Sequence, residues 1–191
     1  RKIDAVLLTH IHYDHVGGID DLRPFCRFGD INIYSNTDVV NGLKHNMPYC
    51  FPEKGDLYPG VPRLILHEIK PHVGFSIGDI EVMPIMVMHD KLPILGYRIG
   101  KLAYITDMKN IEEKELEYLS GISVLVINAL RWKREHHSHQ LVDDAISFAR
   151  KLGVKRVFLI HMTHEIGLHA KANLLLPSGI QFGFDGETII V

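Results

Sequence analysis

The sequence predicts a layered α/β protein. Apolar, strand-like runs stop abruptly in polar clusters, the middle third is nearly all strand pattern divided by turn residues, and from Asn110 onward strands alternate with amphipathic helix. Strands first and β/α alternation afterwards are the pattern of a sandwich of sheets covered by helices. One domain over 1–191 is expected, because the length suits a single core and no linker or repeat interrupts it.

Ile3 to Thr9 reads as a buried strand running into the polar cluster Thr9 to His15, after which Gly17-Gly18 permits a tight turn into a short helix near Ile19 to Arg23. Ile31 to Tyr34 is a second strand, and Asp38 to Asn46 a helix that ends before Pro48. Residues 47 to 63 carry Pro48, Pro52, Gly55, Pro59, Gly60 and Pro62, an irregular excursion expected to wall or cover a site. Leu64 to Ile69, Ile80 to Met88, Gly96 to Ile99 and Leu102 to Thr106 are strands separated by turns such as Ile77-Gly78-Asp79. Glu112 to Leu119 is helical, Val124 to Asn128 a buried strand, Gln140 to Leu152 a helix, and Arg156 to Ile160 a further strand. In the long helix Leu141, Ala145, Phe148 and Leu152 form an apolar stripe, flanked by Val142, Ile146 and Ala149. The opening strand follows Arg1 at once, and a strand buried on both faces needs neighbours. Further N-terminal strands are therefore expected upstream of Arg1, and the domain is read as N-terminally incomplete.

Composition excludes several classes. Apolar runs fall far short of the ~18 residues of a membrane span, so no membrane partner is expected. Cys26 and Cys50 sit in unlike surroundings with no CxxC motif, which fits a reducing, cytoplasmic setting. A formal charge of -2 argues against a general nucleic-acid binder. The unusual count is 13 histidines, the side chain that most often binds metal and also moves protons.

Four ligand-type side chains crowd one loop: His10, His12, Asp14 and His15, in the form His-x-His-x-Asp-His at a strand end. Such crowding costs stability as packing, but it suits metals that take nitrogen and oxygen donors. Three further residues directly follow predicted strands: His89 in Val87-Met88-His89-Asp90, Asp107 in Tyr104-Ile105-Thr106-Asp107, and His161 in Phe158-Leu159-Ile160-His161. Taken singly each is ordinary; as a set at strand ends they are not.

The loop resembles the signature of the metallo-β-lactamase superfamily, and the later positions follow that family's order. The resemblance implies an αββα sandwich with two divalent metals at one sheet edge. It assigns His10, His12 and His89 to one ion, Asp14, His15 and His161 to the other, and Asp107 to both. Zinc is expected first, with manganese or iron compatible with the same donors. Among branches, the chain is most similar to the phosphodiesterases that include the tRNA 3′-processing endonuclease and the cyclic ribosyl-phosphate phosphodiesterase. That likeness rests on Gly96-Tyr97-Arg98-Ile99 with Tyr104-Ile105-Thr106-Asp107, on Leu176-Pro177-Ser178-Gly179-Ile180 with Phe184-Asp185-Gly186, and on His139. His139 stands where the endonuclease places its catalytic histidine, although Gln140-Leu141 departs from the endonuclease's Ser-Thr. His164 matches a histidine that joins an N-terminal cysteine cluster in a structural zinc site of the cyclic phosphodiesterase.

On this reading two metals make a bridging hydroxide available near neutral pH for in-line attack on a phosphodiester. Asp14 orients the attacking water and His139 protonates the leaving group. Arg131, Lys133 and Arg134 precede the His136-His137-Ser138-His139 run and are candidate phosphate contacts. The expected substrate is a small cyclic or nucleotide-like phosphodiester, and homo-oligomers are compatible with the sequence. The alternatives are an RNA-processing endonuclease, a carboxylic-ester, lactone or thioester hydrolase sharing the ligands, and a non-enzymatic metal-binding module.

Overall fold

The computed structural model describes residues 2–52 and 57–191. Its backbone contacts group into two compact units, Arg1–Val73 and Gly74–Val191, each with a sheet of its own.

In the first unit β1 (Ala5–Leu7), β2 (Ile31–Ser35) and β3 (Leu64–Glu68) form a parallel sheet in that order. The first strand is shorter than its apolar run, and a one-turn helix, α1 (Tyr13–Val16), occupies the polar cluster that reads as loop in the sequence. The expected helix near Ile19 is a 3₁₀ segment, Asp20–Phe28, with Pro24 inside it. α2 (Thr37–Asn46) begins one residue before its expected start, where Asn36 Oδ1 accepts the Val39 N–H at 3.0 Å as an N-cap. The core of this unit gathers Leu8, Ile31, Ile33, Val39, Leu43, Cys26 and Cys50, all buried. The expected excursion over 47–63 includes a 3₁₀ turn at Pro48–Cys50, and its residues 53–56 lie outside the described residues.

The second unit carries seven strands in the order β10-β9-β8-β7-β6-β5-β4. These are β4 (Phe75–Ile77), β5 (Ile80–His89), β6 (Leu92–Ile99), β7 (Leu102–Ile105), β8 (Val124–Asn128), β9 (Arg156–Ile160) and β10 (Ile180–Phe182). β4 to β7 pair antiparallel through short turns, whereas β7 to β10 are parallel and need crossovers. β8 is buried at every position because both of its faces are covered, Leu125 and Ile127 on one side, Val124 and Val126 on the other. Its sequence is accordingly apolar without alternation, and the one polar residue, Asn128, stands at its end.

α3 (Val142–Leu152) covers the Leu125 and Ile127 face. Its buried centre is Val142, Ala145, Ile146 and Ala149, with Phe148 and Leu152 at the border, so the residues read as flank are the core face. β4, α4 (His169–Asn173) and β10 escaped the sequence reading, all too short to show a period. Glu113–Leu119 is 3₁₀ rather than α, and within it the buried Glu115 accepts the Met86 N–H at 3.0 Å. Among the described residues no helix is long and apolar enough to cross a membrane.

The Leu176-Pro177-Ser178-Gly179-Ile180 stretch turns the chain into β10. Gly179 has φ +83°, and an added Cβ would stand 2.1 Å from the Lys155 carbonyl oxygen. Left-handed strain alone costs about 1–3 kcal/mol, and a backbone clash adds to it. Gly179→Ala is therefore expected to lose more than about 3 kcal/mol by urea unfolding; an unchanged midpoint would refute the turn's role.

Candidate metal centre

Ligand-type side chains gather within each unit. In the first, β1 delivers the chain to His10, which is 2% exposed. His10 Nδ1 meets Thr9 Oγ1 at 3.0 Å and Nε2 meets His12 Nδ1 at 3.0 Å, and the His10 and His15 rings lie 4.3 Å apart. Asp14 and His15 project from α1, with His15 Nε2 3.2 Å from Asp14 Oδ2. Three imidazoles and a carboxylate thus occupy one small turn. The turn rests on α2: an added Cβ at Gly42 would fall 2.6 Å from Ile11 Cγ1, and Ile11 is the residue between the two histidines. Alanine favours a helix over glycine by about 1 kcal/mol, but overpacking costs about 1–3 kcal/mol. Gly42→Ala is expected to be destabilised in urea and to bind metal more weakly; a variant stabilised by the helix term with unchanged metal affinity would reject this packing.

In the second unit the ends of β5, β7 and β9 bring His89, Asp107 and His161 together: His89 is the last residue of its strand, Asp107 lies two residues beyond β7, and His161 one beyond β9. His161 Nε2 lies 3.3 Å from Asp107 Oδ1, and ligand-type atoms of His89 and Asp107 lie within 4.8 Å of one another. Asp107 is 2% exposed and takes a 2.6 Å hydrogen bond from Thr106 Oγ1. His89 Nδ1 is 2.9 Å from the Ser138 carbonyl, to which it donates, so the ring's lone pair resides on Nε2. Asp107 and His161 both have left-handed backbones, φ 57° and 54°, a region uncommon for residues other than glycine, in which asparagine, aspartate and histidine are the most frequent exceptions.

His139 completes this group. Its ring centroid is 4.7 Å from that of His89 and 4.8 Å from that of His161. Burial pushes its pKa down to about 4, with His161, His89 and His136 acting the same way and Asp107 opposing. Its Nδ1 is buried with no hydrogen-bond partner among the described residues. An unpaired buried polar atom costs about 1–3 kcal/mol, which marks the ring as kept for something other than packing. His136 lies further out, its ring 5.0 Å from His139, with its pKa lowered chiefly by burial.

The remaining candidates fare differently. Arg131 is 8% exposed and braces its own loop: Nε donates to the Arg134 carbonyl at 2.8 Å, Nη2 to the Glu135 carbonyl at 3.3 Å, and Nη1 pairs with Glu165 at 3.2 Å. Arg134 pairs with the same Glu165 carboxylate, while Lys133 is exposed. His164 is exposed in a 3₁₀ turn and belongs to none of the ligand groups found among the described residues. The sequence reading missed Thr9, Thr106 and the Ser138 carbonyl, which orient His10, Asp107 and His89. The only available signal was adjacency, since each is next to a candidate ligand or to His139.

The donor set tests well against divalent metals. It is all imidazole nitrogen and carboxylate oxygen, Nδ1 of His89 is held by a backbone carbonyl, and the buried Asp107 carboxylate faces His161.

Known proteins agree. A model of the β-lactamase superfamily domain matches residues 1–162. The crystal structure of a diphosphatase from the PhnP family superposes with a TM-score of 0.88 at 33% identity, covering 100% of this chain and 72% of that one. Human tRNase Z, short form, superposes with a TM-score of 0.73 at 16% identity, over 98% of this chain and 73% of that one. A Porphyromonas gingivalis protein named octanoyltransferase is 42% identical over 190 residues, all of this chain but 38% of that protein. The chain thus spans well under half the length of that curated relative. By strand-end ligands, sheet order and family match together, the chain belongs to the β-lactamase superfamily domain family and has the metallo-β-lactamase αββα fold.

Proposed function

We propose that the protein is a dinuclear metal-dependent phosphodiesterase acting on a small cyclic or nucleotide-like phosphodiester. His10, His12 and His89 would hold one ion, Asp14, His15 and His161 the other, with Asp107 shared. The observation that carries this reading is the meeting of His89, Asp107 and His161 at three strand ends around the unpaired ring of His139. When bound, the ions, zinc first or else manganese or iron, supply a nucleophilic hydroxide near neutral pH and positive charge beside the phosphoryl oxygens.

The chain's own residues do the rest. Asp107 would supply negative charge to dications that would otherwise repel, and the Thr106 hydroxyl orients its carboxylate by donating to Oδ1. Asp14, largely exposed, orients the attacking water. His139 holds a proton at the leaving oxygen. Its burial keeps the ring neutral at rest, so an anionic substrate is what favours the proton there. Lys133 is the exposed cation available to an approaching phosphate.

The likeness to a PhnP-family diphosphatase supports phosphorus chemistry. A second reading, hydrolysis of an acyl ester or thioester, draws support from the relative named octanoyltransferase. Both are tested by one assay: zinc- or manganese-loaded protein with bis(p-nitrophenyl) phosphate, a lactone and an octanoyl thioester. Metal-dependent release of p-nitrophenol with the phosphodiester is the expected result; turnover of the thioester or lactone alone would replace the proposal with the second reading.

A further inference from the structure

Asn128 ends β8, the strand between those that deliver Asp107 and His161, and it is 0% exposed. Its side-chain amide is spent entirely on one residue. Oδ1 accepts the Met108 N–H at 2.9 Å, and Nδ2 donates to the Met108 carbonyl at 3.0 Å. Met108 directly follows Asp107, and its own side chain is locked in the core at 2% exposure. The far end of the same loop is pinned as well: the N–H groups of Lys109 and Asn110 donate to the Met88 carbonyl at 2.8 and 3.2 Å, and Met88 N–H donates back to Asn110 at 2.8 Å. Met88 precedes His89. The loop from Asp107 to Asn110 is therefore fastened at Met108 to Asn128 and at its far end to Met88, the residue before His89.

We infer that Asn128 is a positioning residue for the metal centre, resting on the dinuclear reading proposed above. The amide extends β8 by one imitation backbone pair at the place where the strand itself has ended. Only a side chain with a donor and an acceptor on one planar group satisfies both halves of Met108. It fixes the loop that holds Asp107 in its left-handed conformation, and so sets the distance from Asp107 to His161. A partner acting through a ligand in this way typically shifts metal affinity by about 10- to 100-fold.

The test separates positioning from mere support of the fold. Wild type, Asn128→Ala, Asn128→Asp and Leu125→Ala are titrated as whole chains with Zn²⁺ by calorimetry and with Co²⁺ by visible absorption, at a temperature where circular dichroism shows each fully folded. Leu125, buried in the same strand on its helix-covered face, supplies a variant that loses stability through a cavity alone. The expected result is affinity about 10- to 100-fold weaker in Asn128→Ala with an altered Co²⁺ band, and near-native affinity in Leu125→Ala. Asn128→Asp keeps the acceptor but sets a carboxylate against the Met108 carbonyl, so it too is expected to bind more weakly and stands in if the alanine variant does not fold. Native affinity and an unchanged Co²⁺ band in a folded Asn128 variant overturn the inference and leave the metal centre standing. A wild-type chain that takes up no metal overturns the centre itself and this inference with it.

Discussion

Asp107→Asn is expected to empty the centre and to reduce phosphodiester cleavage by more than about 100-fold, beyond the range of changes made one shell away. The substitution isolates charge from shape. Asparagine adopts the left-handed region as readily as aspartate, so φ 57° costs the variant nothing new. Its carbonyl oxygen can still accept the Thr106 hydroxyl that Asp107 Oδ1 accepts at 2.6 Å. What disappears is the negative charge on a side chain 2% exposed, where low dielectric would strengthen its attraction for the proposed cations. Metal content after dialysis and kcat/KM at fixed free zinc would check this. Retention of both ions with near-native turnover would mean that Asp107 is not shared between them.

His139→Ala is expected to leave metal content intact while lowering kcat about 10²–10⁴-fold, the range for a general acid. The ring touches both His89 and His161, at 4.7 and 4.8 Å between centroids, yet its Nδ1 is unpaired and the Ser138 carbonyl, not His139, orients His89. Deletion should therefore spare the ligands' tautomers. A substrate with a good leaving group supplies the sharper measurement: p-nitrophenolate needs little protonation, so the loss should shrink for bis(p-nitrophenyl) phosphate relative to an alkyl phosphodiester. Equal losses on both esters would exclude the proton-donor role, and loss of metal would make His139 a ligand.

The clustering of the candidate ligands was legible in the sequence because the strands announce themselves. Val87-Met88, Ile105 and Leu159-Ile160 are apolar runs that stop at a polar residue, and a polar residue just past a buried strand lies at a sheet edge. The fold class followed from the same runs. The short elements β4, β10, α1 and α4 were not legible, since three to five residues carry no period and their conformation is imposed by neighbours. Nor were the outer hydrogen bonds. Asn128 stood out only as a polar interruption in an apolar stretch, and nothing in the sequence said that its amide reaches Met108 across the strand order. Arg131 shows the same limit: the chain order offered it as a phosphate contact, and the carbonyls and Glu165 that engage it in the folded loop were invisible there.

The left-handed turns at Asp107 and His161 carry a cost for the molecule as a whole. Histidine enters φ 54° more often than most non-glycine residues, yet such a residue still holds about 1–3 kcal/mol against folding. Glycine at position 161 would release that energy. A chain selected only for heat resistance should therefore discard this histidine early, becoming hardier as it becomes inert, so durability and chemistry here pull on the same two peptide units in opposite directions.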